Sequence, residues 1–350
     1  MLADKVISFV VPCYNSAKYM DNCIQHLIDL NSNNNDVEIL IIDDGSQDDN
    51  TWEKAQGWEK QHPTIIQAIH QENCGHGGAI NTGLKHASGL YFKVVDSDDY
   101  LDTNGSAPVM DYLRKQAKNA KNGNPATDMV IANYVYNKPK QNKLTPIKYT
   151  RTLPQNHEFI WANIKKFNLF EYIQMHSMIF RTQLLKEINL ELPKHRFYVD
   201  SIFSLYPLPH VKSIYYINTN MYMYYIGREG QSVEEQVIHN REDQMLDVTK
   251  TMIDLIDIEK LKTMPKLEHY TYHYIAMMIA VCTIILRKKN TKEANTKRKE
   301  LLNYMKNRDE YLYKSIYRFP MAHDTNLPTA AGRAICLTGY EIGKKLVPFT

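Results

Sequence analysis

A chain of 350 residues, 43% hydrophobic and 23% charged, has ordinary globular composition, and its length suits two domains or one large domain with an appendage. Its net charge of +3 is too small to argue for a nucleic-acid partner. Five scattered cysteines without a CxxC pair argue against a disulfide frame or a zinc site and fit the reduced thiols of a cytoplasmic protein. Met1–Val6 lacks the charged and apolar regions of a signal peptide. The nearest thing to a bilayer-spanning run, Tyr274–Leu286, is too short to span.

In chain order, Val6–Val11 is a continuous apolar run, as expected of a strand buried on both faces, and Pro12 ends it. Asn15-Ser16 suits the cap of a helix through Leu30, with Met20, Cys23, Ile24, Leu27 and Ile28 on one face. Val37–Ile42 reads as a second buried strand ending at Asp43-Asp44-Gly45-Ser46, and a helix follows over 49–61. Thr64–Ile69 reads as a third strand, His76–His86 as a helix approached through glycines, and Leu90–Val95 as a fourth strand. A helix over Ser106–Ala117, a loop over Asn119–Pro125 and a strand over Asp128–Tyr136 follow. This alternation implies a doubly wound α/β sheet, which binds ligands beyond the carboxyl ends of its strands. From Lys138 the texture changes. Lys138–Leu153 is basic and reads as a loop or lid, Phe159–Phe170 looks helical, and from about Val233 the pattern is helical throughout.

The most informative run is Lys93-Val94-Val95-Asp96-Ser97-Asp98-Asp99, where a strand ends in three carboxylates within four positions. Such charges repel unless a cation joins them. Mg²⁺ and Mn²⁺ favour oxygen ligands and share them with phosphates, so a metal–diphosphate site is the first hypothesis. Taken alone, the run is better explained by Ser97, Asp98 or Asp99 capping a helix. Its place on the sheet edge that also carries Pro12-Cys13-Tyr14-Asn15 and Asp43-Asp44 turns the balance toward a site. Tyr14 offers a flat face for a base, and such stacking is worth about 1–3 kcal/mol. Asp44 suits a base N–H. The plain alternatives are a loop aromatic and a capped turn. Asn73–Gly83 is glycine-rich and opens a helix, which suits phosphate. It lacks the third glycine of the dinucleotide fingerprint and follows the third strand, not the first. Cys13 and Cys74 read as packing residues.

Taken in order, Val10-Val11-Pro12-Cys13-Tyr14-Asn15, Ile42-Asp43-Asp44-Gly45-Ser46, Asn73-Cys74-Gly75 with Ala79, Asn81 and Gly83, then Gly89 and the acidic run, resemble a family 2 glycosyltransferase of the GT-A fold. The resemblance is close over the first 105 residues and weaker to residue 235. It implies a Rossmann-like, doubly wound mixed sheet over 1–232, with a nucleotide-sugar half to about 105 and an acceptor half beyond it. A helical C-terminal region over 233–350 follows. It also implies inverting transfer of a sugar from a nucleoside-diphosphate sugar, a UDP-sugar above all, to a cell-surface glycan, teichoic acid or glycolipid acceptor at the inner membrane face.

By the same resemblance, Tyr14, Asp44 and backbone near Pro12 are similar to uracil-binding positions, and Asn15, Asn73, Gly75, Gly78 and Asn81 belong to the nucleotide-sugar side. Asp98 would be the main ligand of Mn²⁺ or Mg²⁺, Asp96 would sit near ribose and metal, and Asp99 would orient or cap. Asp200, in Phe197–Phe203, is similar to the acceptor base, with Val199 replacing the usual Glu and Glu171, Glu187 and Glu191 as fallbacks. Arg228 resembles a residue that pairs with phosphate through its planar fork, and His176 resembles one facing the acceptor. Ile80 stands where an Arg is common, leaving His76 and Lys85 as nearby cations. A nucleotidyltransferase would show a glycine-rich basic loop after the first strand, which Pro12–Asn15 is not. A nucleotide-sugar-binding scaffold without catalysis is the non-enzyme alternative. The terminal segment Ala330–Val347, with Ile335, Leu337, Ile342 and Leu346 among Arg333, Lys344 and Lys345, reads as a surface-packed helix, with peripheral membrane contact as its second reading.

Overall fold

The first apolar run is buried along its whole length and forms β1 (Ile7–Cys13), inside a ten-stranded sheet. In the computed structural model, residues 5–31, 35–227, 237 and 240–346 are described. β1 pairs in parallel with β2 (Val37–Asp43) on one side and β4 (Tyr91–Val94) on the other, and β2 pairs with β3 (Ile66–His70). Beyond β4 come β9 (Met178–Arg181), β6 (Met129–Lys138), β10 (Ile214–Tyr225) and β5 (Tyr100–Leu101). β9 runs antiparallel to β4 and β6, β10 runs parallel to β6, and β5 antiparallel to β10. The sheet is therefore mixed, as expected. Its chain order turns back between β1 and β4, the kind of switch point that leaves a crevice at the strands' carboxyl ends.

Helices α1 (Met20–Ile28), α2 (Thr51–Gln61), α3 (Gly75–His86) and α4 (Thr103–Lys121) connect the strands. The expected face of α1 is largely real: Met20, Cys23, Ile24 and Leu27 are buried and Ile28 partly so, with Met20, Ile24 and Leu27 each worth roughly 1.5–3 kcal/mol. α1 starts later than its capping residues suggest because those residues are committed elsewhere. The Ser16 N–H donates to Thr51 Oγ1 (2.7 Å) and the Ala17 N–H to Asp49 Oδ2 (2.9 Å). On α3, a Cβ at Gly83 would lie 2.3 Å from Val10 Cγ1. Gly83→Ala is accordingly expected to cost about 1–3 kcal/mol by overpacking, read as a lower urea midpoint at unchanged slope. An unmoved midpoint would mean that Val10 yields freely.

Two expectations for the middle of the chain fail. Lys138–Leu153 is not simply a loop: after a left-handed residue at Asn142 (φ 48°), β7 (Lys143–Ile147) folds back antiparallel on β6. Phe159–Phe170 is not a helix. It holds β8 (Glu158–Phe159), paired with β10, and one 3₁₀ turn at Trp161–Asn163. Its apolar residues Phe159, Trp161, Ile164 and Phe167 are buried, but tertiary partners hold them; the Trp161 indole N–H, for example, donates to Leu208 O (3.0 Å). Short helices α5 (Thr182–Glu187) and α6 (Asp200–Leu205) complete this unit, which comprises Met1–Ile164 and Ile173–Gly227.

The second unit, Lys165–Tyr172 with Arg228–Thr350, is helical: α7 (Glu242–Asp254), α8 (Ile258–Lys262), α9 (Pro265–Lys289), α10 (Lys292–Arg308), α11 (Glu310–Tyr317), α12 (Pro320–Thr325) and α13 (Thr329–Leu346). α9 is its centre and packs against the other six helices. At 25 residues, α9 is longer than the apolar run in its sequence, and by length and composition it suffices to cross a bilayer. Yet 83% of its most apolar window is buried inside the protein, as in a core helix. Pro265 suits its first turn, and Asn290, left-handed at φ 54°, ends it.

Candidate active site

After β1, Tyr14 stands 52% exposed, its ring open to a ligand, while its neighbours are tied down. Pro12 lies within β1. Asn15, left-handed at φ 47°, accepts the N–H groups of Gln47 and Asp48 at Oδ1 (3.2 Å each) and donates to Asp48 Oδ2 (2.8 Å). It thus joins the loops after β1 and β2. Asp44 is buried and accepts three bonds: from Gln71 Nε2 (2.6 Å) and the Cys74 N–H (2.8 Å) at Oδ1, and from the Gly75 N–H (2.8 Å) at Oδ2. A carboxylate offers about four acceptor positions, so most of Asp44 serves the 71–75 turn. Asn73 completes that turn by donating to Asp44 O (3.0 Å).

The glycines that open α3 make room for the protein itself. A Cβ on Gly75 (φ 75°) would lie 3.0 Å from His195 Cα, one on Gly77 2.5 Å from Pro193 O, and one on Gly78 2.3 Å from Cys74 Cβ. Phosphate is the expected neighbour of this segment, but residues 192–196 fill the faces of Gly75 and Gly77. Asn81 binds the same strap, donating to Leu192 O and accepting the Leu192 N–H (2.8 Å each). The His195 N–H donates to Cys74 O (2.7 Å). Through left-handed residues at His195 (φ 52°) and Tyr198 (φ 66°), this strap delivers Asp200 to the first turn of α6.

The acidic run crosses the strand ends, because β9, β6 and β10 stand between β4 and β5 in the sheet. β9 is antiparallel to β4, so His176, just before β9, comes to the carboxyl end of β4. His76 Nε2 lies 2.9 Å from Asp96 Oδ1, and His176 Nε2 lies 3.7 Å from Asp96 Oδ2. The Asp96 N–H donates to the Tyr222 hydroxyl (3.2 Å), which donates to Asp99 Oδ2 (2.6 Å). The Tyr225 N–H donates to Asp99 Oδ1 (2.7 Å). Asp99 is thus held by Tyr222 and the Tyr225 amide. Beneath the run, the fully buried Lys93 donates to His176 O (2.8 Å) and Met178 O (3.3 Å) and lies 5.0 Å from the Tyr222 ring centroid.

Electrostatics follow from this crowding. Burial pulls the Lys93 ammonium down to about 7, against the opposing pull of Asp96. Burial also takes His176 down to about 4, so it is a neutral imidazole near pH 7. At His76 burial works against the charged form, but the charge and hydrogen bond of Asp96 outweigh it and raise the group. Asp96 is lowered: burial opposes this, and His76 overcomes it. Asp99 is raised well above its ordinary value by burial and then by Asp98 and Asp96. Burial raises Asp200 too, with His76 opposing. Burial pushes the Cys13 thiol far up, which removes it as a nucleophile.

The donor set suits a divalent metal ion. One ligand atom each from Asp96, Asp99 and His176 lies within 4.8 Å of the others, and two carboxylates with a neutral imidazole are ordinary ligands of such ions. His176 turns its Nε2 to Asp96, and its buried Nδ1 has no hydrogen-bond partner among the described residues. Asp98, expected to lead on the metal, is half-buried beside this group but is not one of its three members. His176, expected to face the acceptor, is buried against Asp96. Ile80 is wholly buried, and of the two cations near it, His76 turns to Asp96 while Lys85 is exposed. Arg228 lies outside the described residues. Sequence reasoning missed Tyr222 and the role of Lys93. The signal for Lys93 was a lysine inside an otherwise apolar strand.

Residues 8–184 match the family model described as Glycosyl transferase family 2. Glycosyltransferase GlyG of Streptococcus pneumoniae serotype 4 is 30% identical over 236 residues, 63% of this chain and 70% of that protein. The uncharacterized glycosyltransferase EpsJ of Bacillus subtilis is 29% identical over 232 residues, 63% of this chain and 60% of its own length. Among solved structures, S. aureus TarS 1–349 in complex with UDP-GlcNAc has a TM-score of 0.65 at 18% identity, covering 96% of this chain and 92% of that one. The mannosyltransferase PcManGT from Pyrobaculum calidifontis, in complex with GDP-Man and Mn²⁺, reaches 0.51 at 15% identity over 96% and 86%. At such identities these two speak for the fold.

Proposed function

Because this chain belongs to glycosyl transferase family 2, we propose that it moves a sugar from a nucleoside diphosphate, UDP foremost, to a hydroxyl of a cell-surface glycan, teichoic acid or glycolipid in one inverting displacement. The observation that supports this reading is the meeting of Asp96 with His76 (2.9 Å) and His176 (3.7 Å) at the carboxyl end of β4, with the charges of Asp96, Asp200 and Asp98 all acting on His76. The UDP-GlcNAc held by TarS and the GDP-Man held by PcManGT support the donor class.

In this mechanism Tyr14 stacks on the base and Asp200 takes the acceptor hydroxyl proton. The acceptor oxygen bonds to the anomeric carbon as the bond to the diphosphate breaks. Asp96 and Asp99 with His176, joined by Asp98, would hold Mn²⁺ or Mg²⁺, which when bound neutralises the departing diphosphate as a Lewis acid. Peripheral contact with an anionic membrane is supported by Ile335 and Ile342, 55% and 57% exposed on α13, and by the helical unit's 22 Lys and Arg against 17 Asp and Glu. Co-sedimentation with anionic vesicles checks that contact; equal recovery with and without vesicles rejects it.

The test of the activity is UDP release from a panel of UDP-sugars with Mn²⁺ and candidate acceptors. Protein that binds UDP but releases none from any UDP-sugar overturns the reading. Tyr14→Ala is expected to raise the donor KM by roughly 5- to 150-fold, the equivalent of about 1–3 kcal/mol of lost stacking, with kcat nearly unchanged. An unaltered donor KM would remove Tyr14 from the base site.

A further inference from the structure

We infer that Lys93 is a positioning residue for the metal-ligand group, holding His176 and Tyr222, and through them Asp96 and Asp99, in one arrangement. A lysine with no exposed surface in the middle of β4 calls for a reason, since a buried charge is expensive and an apolar residue of similar volume often serves folding as well or better. Two arms reach out from its ammonium. One clamps the backbone on both sides of residue 177, through His176 O and Met178 O, and so sets the turn that presents the His176 imidazole to Asp96. The other is the Tyr222 ring, 5.0 Å away, whose hydroxyl donates to Asp99 and accepts from the Asp96 N–H. Lys93 therefore touches no ligand atom yet stands behind all three members of the group. Partners behind metal ligands orient them, and losing one typically costs 10–100-fold in metal affinity.

The inference rests on the metal-assisted reading proposed above. Lys93→Met is expected to weaken Mn²⁺ binding, at saturating UDP, by roughly 10–100-fold, read by isothermal titration and by a changed Mn²⁺ EPR spectrum, while circular dichroism shows a folded protein. A folded variant with wild-type Mn²⁺ affinity and spectrum overturns the inference. Should Lys93→Met fail to fold, Tyr222→Phe keeps the ring and removes only the hydroxyl between Asp96 and Asp99. It is expected to weaken Mn²⁺ binding by about tenfold, and unchanged affinity in it overturns the inference equally. Wild-type protein that takes up no Mn²⁺ with UDP defeats the metal-assisted reading itself, an outcome distinct from wild-type uptake that the variants leave untouched.

Discussion

Asp200→Asn is expected to lower kcat by about 10²–10⁴-fold, the usual contribution of a general base, while UDP binding stays within a few-fold of wild type. The asparagine keeps the shape of the first turn of α6 but cannot accept the hydroxyl proton. Burial raises the Asp200 carboxyl above its ordinary 3.8, with His76 opposing. As pH falls through that raised value the base is protonated, so the acidic limb of kcat/KM is expected at a pH above 3.8. Asp200→Asn should lack that limb in its residual activity. Donor turnover across pH, with UDP affinity measured in parallel, checks both parts; full transfer by the variant would remove Asp200 as the base.

Asp96→Asn is expected to cost roughly 100-fold or more in metal-dependent turnover, since a bound divalent ion contributes several kcal/mol of charge stabilisation. Among the described residues, Asp96 is the one carboxylate paired with both His76 and His176. The substitution also dissolves an ion pair, and the sign can be worked out. His76 is raised above 6.5 in the folded protein, so its contribution is fully present below pH 6.5 and fades as pH rises through the raised value. Asp96 is depressed below 3.8, so its contribution is present above 3.8 and fades as pH falls through the depressed value. The stability gap between wild type and Asp96→Asn should be widest between about pH 4 and 6.5. Urea unfolding at pH 5.5 and pH 9 measures it, and a gap that is larger at pH 9 would contradict the pairing.

The sheet was largely legible because buried parallel strands announce themselves as apolar runs, and β1, β2 and β4 fall within a few residues of their expected spans. Phe159–Phe170 misled because Phe159, Trp161, Ile164 and Phe167 are buried by tertiary partners, not by a helix of their own. The site was legible in part. Position at strand ends placed the acidic run, Tyr14 and the start of α3 on one edge. Which polar atom meets which was not legible, because hydrogen-bond partners here lie dozens of residues apart. Asp44 is 30 residues from the Cys74 amide that it accepts, Asn81 is 111 from Leu192, and Asp99 is 123 from Tyr222.

The sequence by itself determined the family, the alternating first part and the helical C-terminal region, because each depends on local patterning and ordered motifs. The tertiary structure decided the division of labour among the acids. The first turn of α3 brings His76 to Asp96, and crossing β9, β6 and β10 carries Asp96 to His176 and Asp99 to Tyr222. The same crossing puts Lys93 beneath them both. Burial then raises Asp99, while pairing with His76 lowers Asp96 against burial, and both burial and pairing are properties of the packed sheet, not of the tetrapeptide.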